Sequence, residues 1–252
     1  TSLKAHPLDG ETHAIDATDA DALVRVAEAV GNIDGFVNLC GFMSEAEPLA
    51  THAPETWASL IDGNLTSAFY AARAFSSRIS DGGAMVLTGS GLGHFARPGY
   101  GAYAVAKAGI AAMTRQLALE LAPKCRVNCV APSAVNTAFL RGGTGRSDEQ
   151  QAERLDREAY AKTIPLGRIA EPRDITGPIQ FLLSPAAGYG GAEADAPPRP
   201  RRRAPRSTSK RTRTVWPTTR SLPRTANAFV SASYGTSRTS SSVAQNAPTT
   251  PC

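Results

Sequence analysis

The chain reads as an α/β protein: a doubly wound parallel sheet with helices on both faces. Two observations lead there. Short apolar, strand-like runs alternate with longer stretches of helical periodicity, the βα order that builds a parallel sheet. The 252 residues are also enough for one large α/β domain.

Taken in order, Thr12–Ile15 reads as a short strand and Asp19–Val30 as an amphipathic helix, with Leu23, Val26, Ala27 and Val30 on one face. Asp34–Leu39 is the next strand, and it ends at a turn around Asn38. A long helix starts at Pro54 with Glu55 in its first turn, both favourable there, and is expected to reach about Ile79. Gly63 and Asn64 interrupt that helix at a propensity cost of roughly 1 kcal/mol, which points to a local opening with a purpose. Ala84–Thr88 is a strand, with Ser90 just beyond it, at the end of a strand where open α/β sheets place ligands. Gly99–Leu121 is an Ala-rich helix stopped by Pro123, and Cys125–Val130 is another strand. Residues 138–170 are polar, with Gly142-Gly-Thr-Gly145 and a charged helix over Asp148–Lys162.

The chemistry concentrates in Ser90–Lys107. Tyr103 and Lys107 stand four apart, so both side chains project from one helix face. An ammonium beside a phenol is expected to lower a pKa that starts near ~10 and make the tyrosine a usable acid or base. With the Ser90 hydroxyl converging on the same place, the group can polarise a carbonyl and pass it a proton.

A serine followed thirteen residues on by Tyr-x-x-x-Lys resembles the short-chain dehydrogenase/reductase family, of the 3-oxoacyl-carrier-protein-reductase-like kind. Other segments of the chain support this. Asn38-Leu-Cys-Gly41 is similar to the family's Asn-Asn-Ala-Gly turn, and Asn64 falls where the family keeps a helix asparagine. Arg126–Thr137 is similar to its strand and Pro-Gly turn with Ser133 for Gly, and Pro165–Arg168, Glu171–Asp174 and Phe181–Ser184 match late segments. The resemblance covers about residues 12–189 and implies a Rossmann-type domain.

For the site, it implies hydride transfer between NAD or NADP and a small carbonyl or secondary alcohol. Tyr103 is the implied general acid or base. Lys107 lowers its pKa and holds the nicotinamide ribose, Ser90 holds the substrate oxygen, and Asn64 supports a proton relay through water. Asp16 and Asn38 are implied at the adenosine half, and Val135 and Thr137 at the nicotinamide carboxamide. Thr137 reads equally as an N-cap before Ala138-Phe139-Leu140. Residues 138–170 correspond to a substrate lid. The helices around residues 55–79 and 99–121 carry Phe69, Tyr70, Phe75, Met113 and Leu117, more than one sheet face needs, and the resemblance implies a homodimer or homotetramer.

Two family segments are not recognisable. The glycine-rich turn that holds a cofactor pyrophosphate would precede the Asp16 motif, so the domain, residues 1–190, is expected to be a truncated Rossmann-type sheet that binds NAD(P) weakly or not at all. Gly89-x-Gly91-x-Gly93 is a poor substitute, because it lacks the third glycine of the fingerprint. The alternatives to an active enzyme are therefore an inactive dehydrogenase remnant or a basic-tailed binding protein on that scaffold. Residues 191–252 hold 11 Lys/Arg and 2 Asp/Glu, leaving 16 and 20 in residues 1–190, so the chain's net charge of +5 comes from the tail alone. That Arg/Pro/Ser/Thr-rich stretch is expected to be disordered. It reads as a shifted frame in GC-rich coding DNA, an inert tail, or an electrostatic arm.

Composition excludes several classes. The tail's aromatics are too scattered for a nucleic-acid stacking platform, so nucleic acid is an unlikely partner. No apolar run approaches the ~18 residues of a membrane span. Four cysteines lack a secreted framework or zinc spacing, and four scattered histidines cluster with no carboxylates, so no metal site is expected. Reduced thiols and the lack of a signal pattern point to the cytoplasm.

Overall fold

The computed structural model describes residues 10–141, 155–188 and 190. Its helices are α1 (Ala20–Val30), α2 (Pro54–Ile61), α3 (Ser67–Ser76), α4 (Gly101–Leu121), α5 (Arg157–Ala161) and α6 (Pro172–Leu183). The strands β1 (Ile33–Asn38), β2 (Ile79–Thr88) and β3 (Cys125–Val130) form a parallel sheet in the order β1-β2-β3. The order follows from the pairing of Phe36 with Met85 and of Met85 with Val127.

Alternation along the strands gives the sheet two apolar faces. Phe36, Met85, Leu87 and Val127 point to one side, where α1, α3 and α4 cover them with Leu23, Val26, Phe75 and Ile110. Val37, Ala84 and Val86 point to the other and meet Ile179, Leu182 and Leu183 of α6. Helices therefore lie on both faces, as parallel strands require. Phe75, expected among the surplus apolar residues, is fully buried and stacks on Phe36 at 5.0 Å between ring centroids. Phe69 is the surplus one and stands half exposed.

Arg126 and Asn128 alternate onto the α6 face of β3 and are buried there. The Arg126 guanidinium donates to the carbonyls of Leu182, Leu183, Ser184 and Ala187, the orphan acceptors at and just beyond the end of α6. A cation at a helix C-terminus also meets the negative end of its dipole.

Four expected boundaries are corrected. Thr12–Ile15 is not a strand: it makes no ladder bonds among the described residues, and a strand exists only by pairing. The long helix stops at Ser76, because Ile79 already pairs with Ile33 as the first residue of β2. The Tyr/Lys helix starts at Gly101, after a turn in which Gly99 takes φ +86°. Among the described residues the charged helix is Arg157–Ala161, capped by the Asp156 carboxylate, and Leu155 and Asp156 are not helical; residues 142–154 lie outside those described. The tail at 191–252 lies outside them too. No described helix is long and apolar enough to cross a membrane.

Candidate active site

The interruption at Gly63-Asn64 is a turn of π-helix, Asp62–Thr66, set between α2 and α3. Such a turn leaves the helix's hydrogen-bond ladder short, and here the side chain of Asn64 completes it. Asn64 is fully buried, and its amide donates to Leu60 O at 2.9 Å and to Phe42 O at 3.0 Å. Its Oδ1 accepts from Phe42 N at 3.2 Å. The asparagine thus ties the loop after β1 to the broken helix. Gly63 is needed beside it, since a Cβ there would lie 2.3 Å from the Phe42 ring. Gly41 is needed for the same reason. It has φ +155°, and a Cβ would come within 2.6 Å of Asn64 Oδ1 and 3.1 Å of Lys107 Nζ.

That last distance places Lys107 against the same loop. Its ammonium is buried, donates to Thr88 O at 2.9 Å, and stands 5.6 Å from the centroid of the Tyr103 ring. Thr88 in turn donates through Oγ1 to Asn38 O at 2.7 Å, joining the ends of β1 and β2. Ser90 caps the 3-10 turn Gly91–Gly93, accepting from Leu92 N at 3.2 Å, and its hydroxyl is hydrogen-bonded to that of Tyr103. Serine, tyrosine and lysine are therefore brought together at the C-terminal ends of the strands.

Their electrostatics correct the expectation from spacing. Burial pushes the Tyr103 phenol up to about 12, with the Ser90 hydrogen bond pulling weakly the other way. Burial pushes Lys107 down to about 8, against the nearby thiols of Cys129 and Cys40. Desolvation disfavours the charged form of each group and sets the direction of both shifts. At neutral pH Tyr103 is protonated, ready to donate rather than to accept.

Ser90 and Tyr103 lie in the wall of a cavity of about 700 Å³. Val135 and Thr137 line the same cavity. The segment bearing them is held to the start of α6: Val135 bridges Ala170, and Asn136 donates to the Glu171 carboxylate at 3.0 Å. Asp174 caps the Glu171 amide and pairs with Arg168, whose guanidinium holds its carboxyl far below the usual range. Thr137 also serves as the cap foreseen for it, accepting from Phe139 N at 3.4 Å. Asn38 and Asp16 do not line the cavity. The Asn38 side chain accepts from Cys40 N at 2.9 Å, and Asp16 accepts from Thr18 N and Oγ1 at 2.8 and 2.7 Å.

Sequence reasoning passed over Arg97 and Tyr160. Arg97 sits within the Ser90–Tyr103 segment, where its position was open to view; Tyr160 gave no signal. Both line the cavity, and the Tyr160 hydroxyl lies 3.1 Å from that of Ser133. Among the described residues, no group of three or more His, Cys, Asp or Glu could hold a metal.

Comparison with known proteins agrees with this arrangement. Residues 4–193 match the family model described as enoyl-(acyl carrier protein) reductase. The chain is 30% identical over 188 residues to the 3-oxoacyl-[acyl-carrier-protein] reductase of Vibrio cholerae, covering 72% of this chain and 73% of the relative. It is 32% identical over 201 residues to the 2,3-dihydro-2,3-dihydroxybenzoate dehydrogenase of Bacillus subtilis, covering 75% of each. A Brucella melitensis short-chain dehydrogenase/reductase superposes with TM-score 0.65 at 28% identity, over 73% of this chain and 72% of that one. Carveol dehydrogenase of Mycobacterium avium, solved with NAD, does so with TM-score 0.63 at 28% identity, over 71% and 70%.

Proposed function

The chain belongs to the short-chain dehydrogenase/reductase family, 3-oxoacyl-carrier-protein-reductase-like and of Rossmann-type fold, and from that premise we propose that it reduces a small-molecule carbonyl with NADH or NADPH through residues 1–190. The observation that carries the reading is the hydrogen-bonded Ser90–Tyr103 pair in the wall of an apolar cavity, with Lys107 buried behind it.

The nicotinamide end of the cofactor fits what is present, while the glycine turn that would hold its pyrophosphate is the part not recognised in the sequence. About 700 Å³ accommodates a nicotinamide and a small ketone together, within the usual range for ligand sites. Thr137 and Val135, which line the cavity, are assigned to the carboxamide, and Tyr103, with Lys107 buried behind it, to the ribose. Asp16 and Asn38 are assigned to the adenosine half, beyond the cavity. When bound, the cofactor supplies the hydride.

The protein's own groups do the rest. The Ser90 hydroxyl holds the carbonyl oxygen where negative charge develops. Tyr103, neutral and hydrogen-bonded to Ser90, gives that oxygen its proton; an alkoxide is a stronger base than a phenolate, so the transfer runs downhill. Lys107 then faces a phenolate and returns a proton, for which a pKa near 8 is well matched. Asn64 holds the loop against Lys107 and supports the relay that re-protonates it through water. A high phenol pKa favours the reductive direction at neutral pH. Assembly as a homodimer or homotetramer is part of the same proposal, with the half-exposed Phe69 as a side chain such an interface would cover.

Loss of NADH or NADPH absorbance on a panel of aliphatic and alicyclic ketones tests this. Tyr103→Phe should lower kcat at least 100-fold with cofactor affinity kept, in line with general acid catalysis worth ~10²–10⁴-fold. A Phe enzyme keeping a tenth of the parental rate would exclude Tyr103 as the proton donor.

A further inference from the structure

The cavity is walled mostly by apolar side chains, among them Leu92, Phe95, Phe139, Leu140 and Ile175. Only two charged residues are among its described lining, Glu45 and Arg97. Arg97 is exposed and lies against two aromatic rings. Its guanidinium carbon is 5.7 Å from the centroid of Tyr100 and 5.2 Å from that of Tyr160. Tyr100 belongs to the turn that enters α4, and it is tied down by a bridge to Glu47. Tyr160, on α5, is fixed by the contact of its hydroxyl with Ser133.

Such contacts use the faces of a guanidinium and leave its N–H edge free. No side-chain hydrogen bond or ion pair occupies the Arg97 N–H groups among the described residues. Arg97 is exposed at the lining of an apolar cavity, three residues before the helical turn that ends in Tyr103, with its N–H edge open to solvent or to a ligand. Its planar fork matches an oxyanion bidentately.

We propose that Arg97 is a specificity-determining residue that binds a carboxylate or phosphate carried by the substrate, so that the carbonyl compound reduced is an anion with an apolar body. This rests on reading the cavity as the carbonyl-reducing site. Glu45 narrows where the charge can sit, because an anion must reach Arg97 on the side away from that carboxylate. The two tyrosines lie against the fork before the ligand arrives, so less ordering is required on binding.

Calorimetry on the full chain separates this from the chemistry of Tyr103. The probes are methyl-ketone carboxylates of graded length, their uncharged methyl esters, and phosphate monoesters of the matching hydroxyketones. Wild type should bind at least one anion ten-fold or more tighter than its neutral counterpart. Arg97→Ala should abolish that preference, and Arg97→Lys should retain part of it, keeping the charge without the fork. The carboxylate and phosphate arms show which oxyanion is meant. Equal binding of acid and ester to wild type overturns the proposal. So does an Arg97→Ala variant that keeps the preference, or one that loses acid and ester alike, which would make Arg97 a strap between α5 and the Tyr100 turn. If the preference holds while no ketone is reduced, the oxidoreductase reading fails and the anion site stands.

Discussion

Replacing Lys107 with methionine should stabilise the protein at neutral pH while removing the lysine proposed to serve the reaction. The ammonium is 3% exposed, and burial lowers its pKa from 10.5 to about 8. A depressed pKa on a base means that the charged form is penalised in the folded state. At about 1.36 kcal/mol per pKa unit, that penalty is roughly 3 kcal/mol wherever both states are protonated, which is below pH 8. The bond to Thr88 O returns about 1 kcal/mol of this, so Lys107→Met should gain about 2 kcal/mol at pH 7. As pH rises from 8 to 10.5 the folded lysine is neutral first and wild type recovers by about 2.5 kcal/mol between pH 7 and pH 10, so the advantage of methionine is gone by pH 10 and slightly reversed. Tyr103 works the opposite way. Its folded pKa of about 12 gives stability present below pH 10 and lost between 10 and 12, but both proteins share it and it cancels in the difference. Urea unfolding of the two proteins at pH 7 and pH 10, followed by far-UV circular dichroism, measures the effect. A methionine variant less stable than wild type at pH 7, or a gap that does not change with pH, would refute the argument that burial governs this lysine.

Asn64→Ala should destabilise by about 2–4 kcal/mol, because Phe42 N, Phe42 O and Leu60 O lose their partners; urea midpoints measure it. Asn64→Asp should cost no less, since a carboxylate accepts but cannot donate to the two carbonyls. Phe69→Glu should lower the oligomeric state without unfolding the monomer, given a side chain already 47% exposed; sedimentation at micromolar concentration would show an unchanged mass if Phe69 lies outside the interface.

Period and spacing are local properties, and they were enough for much of this protein. Alternating apolar runs and helical stretches determined the parallel sheet and the placing of helices on both faces. The Ser90–Tyr103–Lys107 spacing determined which side chains could converge, and the Gly63-Asn64 pair marked the break that became the π turn. Matters that depend on a distant partner were decided by the tertiary structure. Thr12–Ile15 has strand chemistry but no neighbour to pair with among the described residues, so it is not a strand. Phe75 and Phe69 are the same residue type on one helix, and the packing of remote core residues, Phe36 among them, buries only the first. The spacing of Tyr103 and Lys107 predicts mutual charge stabilisation, yet the sheet and its helices remove both groups from water. Desolvation then sets the sign of each pKa. Arg97 is plain in the sequence, but its role depends on Tyr160, sixty-three residues away, being folded against it. Sequence distance carries no information about such contacts, because burial, pairing and solvent exclusion arise only when remote segments pack.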